Sequence, residues 1–382
     1  MVDRKYPVDK ELFYLDKNLI YLNHGSFGAT PKAVLQRFIE LTEQIDKNPM
    51  KFYLEDYPVL MDESRKAISS FLNVEPDNLA FVDNATTGVN AVLFSLINEL
   101  NNESEILTAS HYYPAVKNTL NHINTITGCK IKVADLPDYV ESEEQIKKII
   151  LSEITSKTKL LVIDHITSIS GLIIPINEIV QHCKTKGILT LIDGAHAPGS
   201  VSLDLSELNA DWYTSNLHKW FFAPKGTAIL YSSDTQKVPI HPTVISNDFG
   251  KGFTKEFDWV GTRNFCSWLT APECLKFYKE NFNYNYCREL SLFARHLIIN
   301  KLGLEPMAHE NLTGLMQSFW LPTSAGTTID DVVELRNKLL NKYKIEVFMN
   351  PFKDRLVLRI SSQIYNREEE YSTLINALKN EL

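Results

Sequence analysis

Leu160-Leu161-Val162-Ile163, a stretch over 176–186, then Gly187-Ile188-Leu189-Thr190-Leu191-Ile192-Asp193: this run reads as a buried strand, a helix and a second buried strand. Short, unbroken apolar runs of this kind suit strands covered on both faces. Working outward, the alternation recurs. Leu79-Ala80-Phe81-Val82, residues 105–109 and residues 130–134 read as strands. Helices are expected over 89–97, from Pro114 onward and over 143–154. After Asp193, residues 212–215 and 227–231 read as two more strands. Strand and helix units in alternation imply a mostly parallel sheet sandwiched by helices.

Further upstream, a helix opens at Thr30-Pro31, with Thr as N-cap and Pro in the first turn. Val34, Leu35, Phe38, Leu41 and Ile45 continue it at helical spacing, and another helix runs over about 58–72. Beyond about residue 250 the texture changes. Helices over 271–281, 284–302 and 329–343 mix with strands near 314–321 and 356–360. The expected class is α/β: a large unit over 16–250 and a smaller α+β unit over 251–382, joined by the first 15 residues.

Bulk properties bound the function. The chain has 382 residues, 44% of them hydrophobic, long enough for two lobes. Its formal net charge of −8 and interspersed charges argue against a nucleic-acid partner. The five cysteines, Cys129, Cys183, Cys266, Cys274 and Cys287, are scattered and odd in number. They suggest neither a disulfide framework nor a metal site, and suit a reducing compartment. Met1-Val2-Asp3-Arg4-Lys5 leads into a charged stretch with no apolar leader, and no apolar run could span a bilayer. The expectation is a cytoplasmic protein with no membrane partner.

Ligands bind such sheets beyond the carboxyl ends of the strands. Four features lie there. Ser215-Asn216-Leu217-His218-Lys219-Trp220 sets a lysine just after a buried strand, among aromatics. An isolated lysine so placed ordinarily snorkels to solvent. A buried one can have a lowered pKa and form a Schiff base with an aldehyde. Asp193 closes its strand; it is either a turn cap or an acid able to keep a pyridinium nitrogen protonated. Asn84-Ala85-Thr86-Thr87-Gly88 offers hydroxyls and free N–H groups at a helix start, where a phosphate could sit, although the segment taken alone reads first as a plain N-cap at Thr86 or Thr87. Ser110-His111-Tyr112-Tyr113-Pro114 provides an aromatic able to stack on a planar cofactor. Pyridoxal 5′-phosphate (PLP) needs a lysine, an acid, a phosphate cup and a stacking ring, and the four features supply one candidate each.

These residues resemble the class V aminotransferase group of fold-type I PLP enzymes, and within it the isopenicillin N epimerase-like and cysteine-sulfoxide lyase-like family. The likeness runs through Leu22-Asn23-His24-Gly25-Ser26-Phe27-Gly28, Asn84-Ala85-Thr86-Thr87, Asp193-Gly194-Ala195-His196-Ala197-Pro198-Gly199 and Asn216-Leu217-His218-Lys219-Trp220. It continues through Trp259-Val260-Gly261-Thr262-Arg263 and Leu358-Arg359-Ile360-Ser361. The resemblance implies that Lys219 carries PLP and acts as the base at Cα, and that Asp193 pairs with the ring nitrogen. It implies that His196 hydrogen-bonds the phenolate oxygen and that Tyr113 stacks on the ring, with His111 as rival. Thr86, Thr87, Asn216 and His218 would surround the phosphate. Thr262 would reach a phosphate across a homodimer interface. Arg359, beside Asn23, would clamp the substrate α-carboxylate, unless it is half of a structural salt bridge.

The same resemblance spans several reactions at an amino-acid α-carbon. Cysteine desulfurases of this group carry a nucleophilic cysteine in the C-terminal lobe, but no cysteine follows Cys287 here. The expectation is a C–S, β-eliminating lyase on a cysteine-derived substrate. Epimerase and aminotransferase stand as alternatives, and a non-catalytic scaffold as the rival from another class.

Overall fold

The computed structural model describes residues 6–234 and 238–382. Residues 1–5, with their expected charged leader-free start, lie outside the described residues. Among the described residues seven strands form the large sheet: β1 (Leu79–Val82), β2 (Glu105–Ala109), β3 (Lys130–Ala134), β4 (Thr158–Asp164), β5 (Leu189–Asp193), β6 (Trp212–Asn216) and β7 (Ala228–Ser232). Their order is β1-β7-β6-β5-β4-β2-β3, and only β7 runs against the others.

The pleat explains the unbroken apolar runs. Leu161 and Ile163 of β4 enter one core with Ile192 and Tyr213. Leu160 and Val162 enter the other with Leu191 and Trp212. Both faces are covered by helices, so Leu160 to Asp164 are buried without a break. Each such Leu or Ile contributes about 1.5–3 kcal/mol on leaving water.

The register decides where the site lies. Asp164 pairs with Asp193 across β4 and β5, and Asp193 with Thr214 across β5 and β6. The carboxyl ends of three adjacent strands are therefore level.

Two helix starts differ from expectation. The helix after β1 is α1 (Ala85–Ser95), which begins before residue 89 because the Asn84 side chain accepts from the Thr87 N–H at 2.9 Å. Asn84, not Thr86 or Thr87, is the cap. The helix after Gly28 spans Lys32–Lys47 with Pro31 as its N-cap. The Thr30 hydroxyl donates instead to the Ala223 carbonyl at 3.1 Å, away from the helix.

A second sheet lies C-terminal: β8 (Glu305–Pro306), β9 (Met316–Trp320), β10 (Phe348–Phe352) and β11 (Arg355–Ser361), antiparallel in the order β10-β11-β9-β8. Leu358 and Ile360 of β11 join a separate core with Phe319, Leu374 and Leu378. Leu22 packs into that core, and Ile20–Tyr21 pairs in parallel with Ile345–Glu346. Alternation along β11 turns Arg359 to the face opposite Leu358 and Ile360, where it meets Ser26 and Ser168.

Candidate active site

A cavity of about 370 Å3 opens where the strand ends of the large sheet are level. Its lining includes Thr86, Tyr113, Asp164, Asp193, Asn216, His218 and Lys219, with Ser26, Phe27, Ser168 and His196 completing the wall. A larger hollow, about 440 Å3, lies around Tyr57 and Trp259, but its buried charges, Arg65 and Asp258, neutralise each other at 2.5 Å.

Lys219 is 9% exposed. Burial, and then the nearby Arg359 charge, pull its ammonium down from 10.5 to about 7, against the opposing pull of Asp193 and Asp164. Near neutrality a large fraction of this amine is uncharged. Its Nζ lies 3.0 Å from His196 Nε2. His196 is held well below the ordinary histidine range, chiefly by burial and then by Lys219 and Arg359. It is a neutral imidazole.

Two carboxyls sit side by side beneath this pair. Burial raises Asp193, while the Ala195 N–H, 3.0 Å from Oδ1, and Lys219 pull it back. Burial and the Asp193 charge raise Asp164 well above the usual carboxyl range, despite Lys219 and the N–H groups of Tyr113 and Ser168. Like charges so near each other in a dry site cannot both persist, and Asp164 is the one that takes the proton. No part was assigned to Asp164 from the sequence. Its signal was present, since it closes an apolar run just as Asp193 does.

At the other end of the cavity, Asn216 Oδ1 accepts from the Ala85 N–H at 2.8 Å and so ties β6 to the first turn of α1. The Thr87 hydroxyl is turned to Asn84, 3.2 Å away, and Thr87 does not line the cavity. Thr86 does. His218 Nδ1 donates to the Thr227 carbonyl at 3.3 Å, and burial lowers its pKa to about 4.

Tyr113, 42% exposed, stands at the mouth. His111 is fully buried outside the cavity, with Nδ1 2.9 Å from the Ser170 hydroxyl and its ring edge-on to Phe352. Thr262 is exposed and away from the cavity. Arg359 stands one side chain behind the wall. It donates to the Ser168 carbonyl and, at 3.0 Å, to the Ser26 hydroxyl, which in turn donates to Asn23 Oδ1 at 2.6 Å. Its guanidinium lies 4.1 Å from the centre of the Phe348 ring. Arg359 is 1% exposed, its Nε has no hydrogen-bond partner, and among the described residues it pairs with no carboxylate. Burial brings its pKa down to about 9, against an opposing pull from Tyr21.

His24 is wholly buried. Its Nε2 donates to the Lys219 carbonyl at 2.9 Å, and its Nδ1 accepts from the Tyr365 hydroxyl at 2.9 Å. Gly28 explains the rest of that segment. Its φ is +68°, and a Cβ there would run into the backbone carbonyls of His218 and Lys219. The Asn23–Gly28 segment thus grips the backbone that carries the lysine.

Residues 20–299 match the aminotransferase class-V family. The chain belongs to that family. As a class-V aminotransferase-family protein it is an enzyme of the PLP-dependent group, as its motifs led us to expect. It is 30% identical to a probable chloroplastic L-cysteine desulfhydrase of Arabidopsis thaliana, over 97% of this chain and 84% of the relative. It is 31% identical to isopenicillin N epimerase of Streptomyces clavuligerus, over 95% of each. Among solved structures it is similar to the cystine C-S lyase C-DES, with a TM-score of 0.80 and 20% identity over 95% of this chain and 97% of the other. That likeness places the family member in the same fold.

Proposed function

We propose that Lys219 holds PLP and that this enzyme is a β-eliminating C–S lyase acting on a cysteine-derived amino acid. One observation carries the reading. A buried, largely neutral lysine lines the cavity, and a buried arginine with no acidic partner among the described residues stands directly behind its wall, bonded to Ser26 and Ser168. The first suits an aldehyde, the second a carboxylate, and an amino-acid enzyme using this cofactor needs both.

The residues fit the cofactor. Asp193 would hold the ring nitrogen's proton, with Asp164 neutral beside it. Thr86, Asn216 and His218 would receive the phosphate at the start of α1, while Thr87 would act through the Asn84 cap. Tyr113 would cover the ring, and His196 would donate to its phenolate oxygen. When bound, PLP supplies an electron sink for the pair left at the substrate α-carbon. Arg359, with Asn23 acting through Ser26, would orient the substrate carboxylate. Lys219 would then take the α-proton from a fixed direction.

The lyase reading is supported by the desulfhydrase name of a 30% identical relative. It is also supported by the five cysteines, all buried and none lining the cavity, which leaves no thiol there to accept sulfur. Epimerisation is the second reading, because a 31% identical relative carries that name. The test is a panel of amino acids assayed for pyruvate and ammonia release and, in deuterated water, for α-proton exchange. Elimination from a cysteine derivative supports the lyase. Exchange with inversion and no released pyruvate replaces it with the epimerase.

We further propose a homodimer whose interface closes the cavity mouth. Phe27, 67% exposed, sits at that mouth, and Leu54, Ile245 and Phe249 are also exposed. Thr262, exposed on its loop, would then reach the second copy's phosphate. The five unpaired thiols suit a reducing compartment, in keeping with a cytoplasmic location. Among the described residues no helix is long and apolar enough to cross a membrane.

A further inference from the structure

The reading of Lys219 leaves one buried neighbour without a part. The indole Nε1 of Trp220 lies 3.4 Å from His196 Nδ1, and Trp220 is 1% exposed. An indole N–H only donates. His196 Nδ1 must therefore accept, and a neutral imidazole that accepts at Nδ1 carries its proton on Nε2. That Nε2 is the atom 3.0 Å from Lys219 Nζ. The ring donates and the amine accepts. The reverse arrangement, an Nδ1–H ring receiving from a Lys219 ammonium, would set two N–H groups against each other where both rings are buried.

The indole is itself held. Its ring packs against His24 with 5.2 Å between centroids, and His24 in turn donates to the Lys219 carbonyl. Gly25 leaves the room for it, since a Cβ there would come within 3.3 Å of the indole. The Ser200 hydroxyl donates to the His196 carbonyl and fixes that residue's backbone.

We propose that Trp220 is a positioning residue: its N–H locks His196 in the Nε2–H tautomer, and through that ring keeps a free lone pair on Lys219. The consequence for cofactor loading rests on the reading of Lys219 given above. The tautomer rests on this chain's own atoms.

The test is the pH dependence of PLP attachment, trapped with borohydride and read by intact mass. The proteins are wild type, Trp220→Phe, His196→Ala and the double variant. The other groups facing Lys219, namely Asp164, Asp193, His218 and Arg359, stay unchanged in all four. The midpoint for attachment is expected to rise by about one pH unit in Trp220→Phe, because the other tautomer invites a protonated lysine. His196→Ala and the double variant are expected to share one midpoint, since Trp220 acts only through the ring. An unmoved midpoint in Trp220→Phe, or an equal shift on both backgrounds, overturns the proposal. A variant-free measurement stands beside this one. In wild-type protein carrying 15N-histidine, the ring shifts of His196 are expected to report Nε2–H. An Nδ1–H signature overturns the lock, whether or not any variant folds. If Lys219→Ala traps as much PLP as wild type, the function proposed for Lys219 fails, while the nitrogen shifts still decide Trp220.

Discussion

Arg359 carries a charge that nothing acidic among the described residues balances, and a buried unpaired charge destabilises the fold that holds it. Function and stability should therefore separate at this position. Arg359→Met is expected to raise the melting temperature of the unloaded protein. It should also raise KM for amino-acid substrates by about a hundredfold, the loss of a charge-assisted pair worth about 3 kcal/mol. Calorimetry and steady-state kinetics check the two halves. The paired carboxyls give a second contrast. Asp193→Asn is expected to lower kcat at least about a hundredfold, whereas Asp164→Asn, which replaces a neutral carboxyl by a neutral amide, should cost less than about tenfold. Equal losses would mean that both carboxyls act as charges. At this scale Asp193, Asn216 and Lys219 were legible because the first two close buried strands and the third follows just beyond one. Asp164 and Trp220 were not assigned parts. Their roles depend on which neighbour they touch, and strand register and ring orientation decide that.

At the scale of elements, the site depends on how α1 begins. Asn84 caps it and Asn216 takes the Ala85 N–H, so the first turn is pinned to the end of β6. Asn84→Ala is expected to cost about 1 kcal/mol in denaturant unfolding and to weaken PLP binding by more than that loss alone explains. Gly28→Ala, forcing a side chain at φ +68° into the Lys219 backbone, is expected to cost at least about 2 kcal/mol and to impair PLP attachment. β1, β4 and β5 were readable because burial on both faces leaves near-continuous apolar runs. β10 was missed. Its Pro351 argues against a strand, yet β10 lies at the sheet edge, where a missing N–H costs no ladder bond. The pairing of Ile20–Tyr21 with Ile345–Glu346 was also unreadable, since two residues carry no periodicity and their partners lie far along the chain.

For the whole molecule, two sheets meet so that Arg359 from the second faces Lys219 at the end of the first. The open question of assembly lies at the exposed apolar rim. Sedimentation is expected to show a dimer at micromolar concentration. Leu54→Asp should yield monomer with weakened PLP retention, and a wild-type monomer that binds PLP fully would remove the proposed part for Thr262. The central claim is tested most directly by finding which lysine the cofactor takes. Wild-type protein is incubated with PLP at pH 8, above the amine's midpoint of about 7, reduced with borohydride, digested and mapped by mass spectrometry. The expected result is one adduct per chain, on Lys219, falling away as the pH drops below about 7 and absent from Lys219→Ala. An adduct on another lysine, or none, contradicts the account.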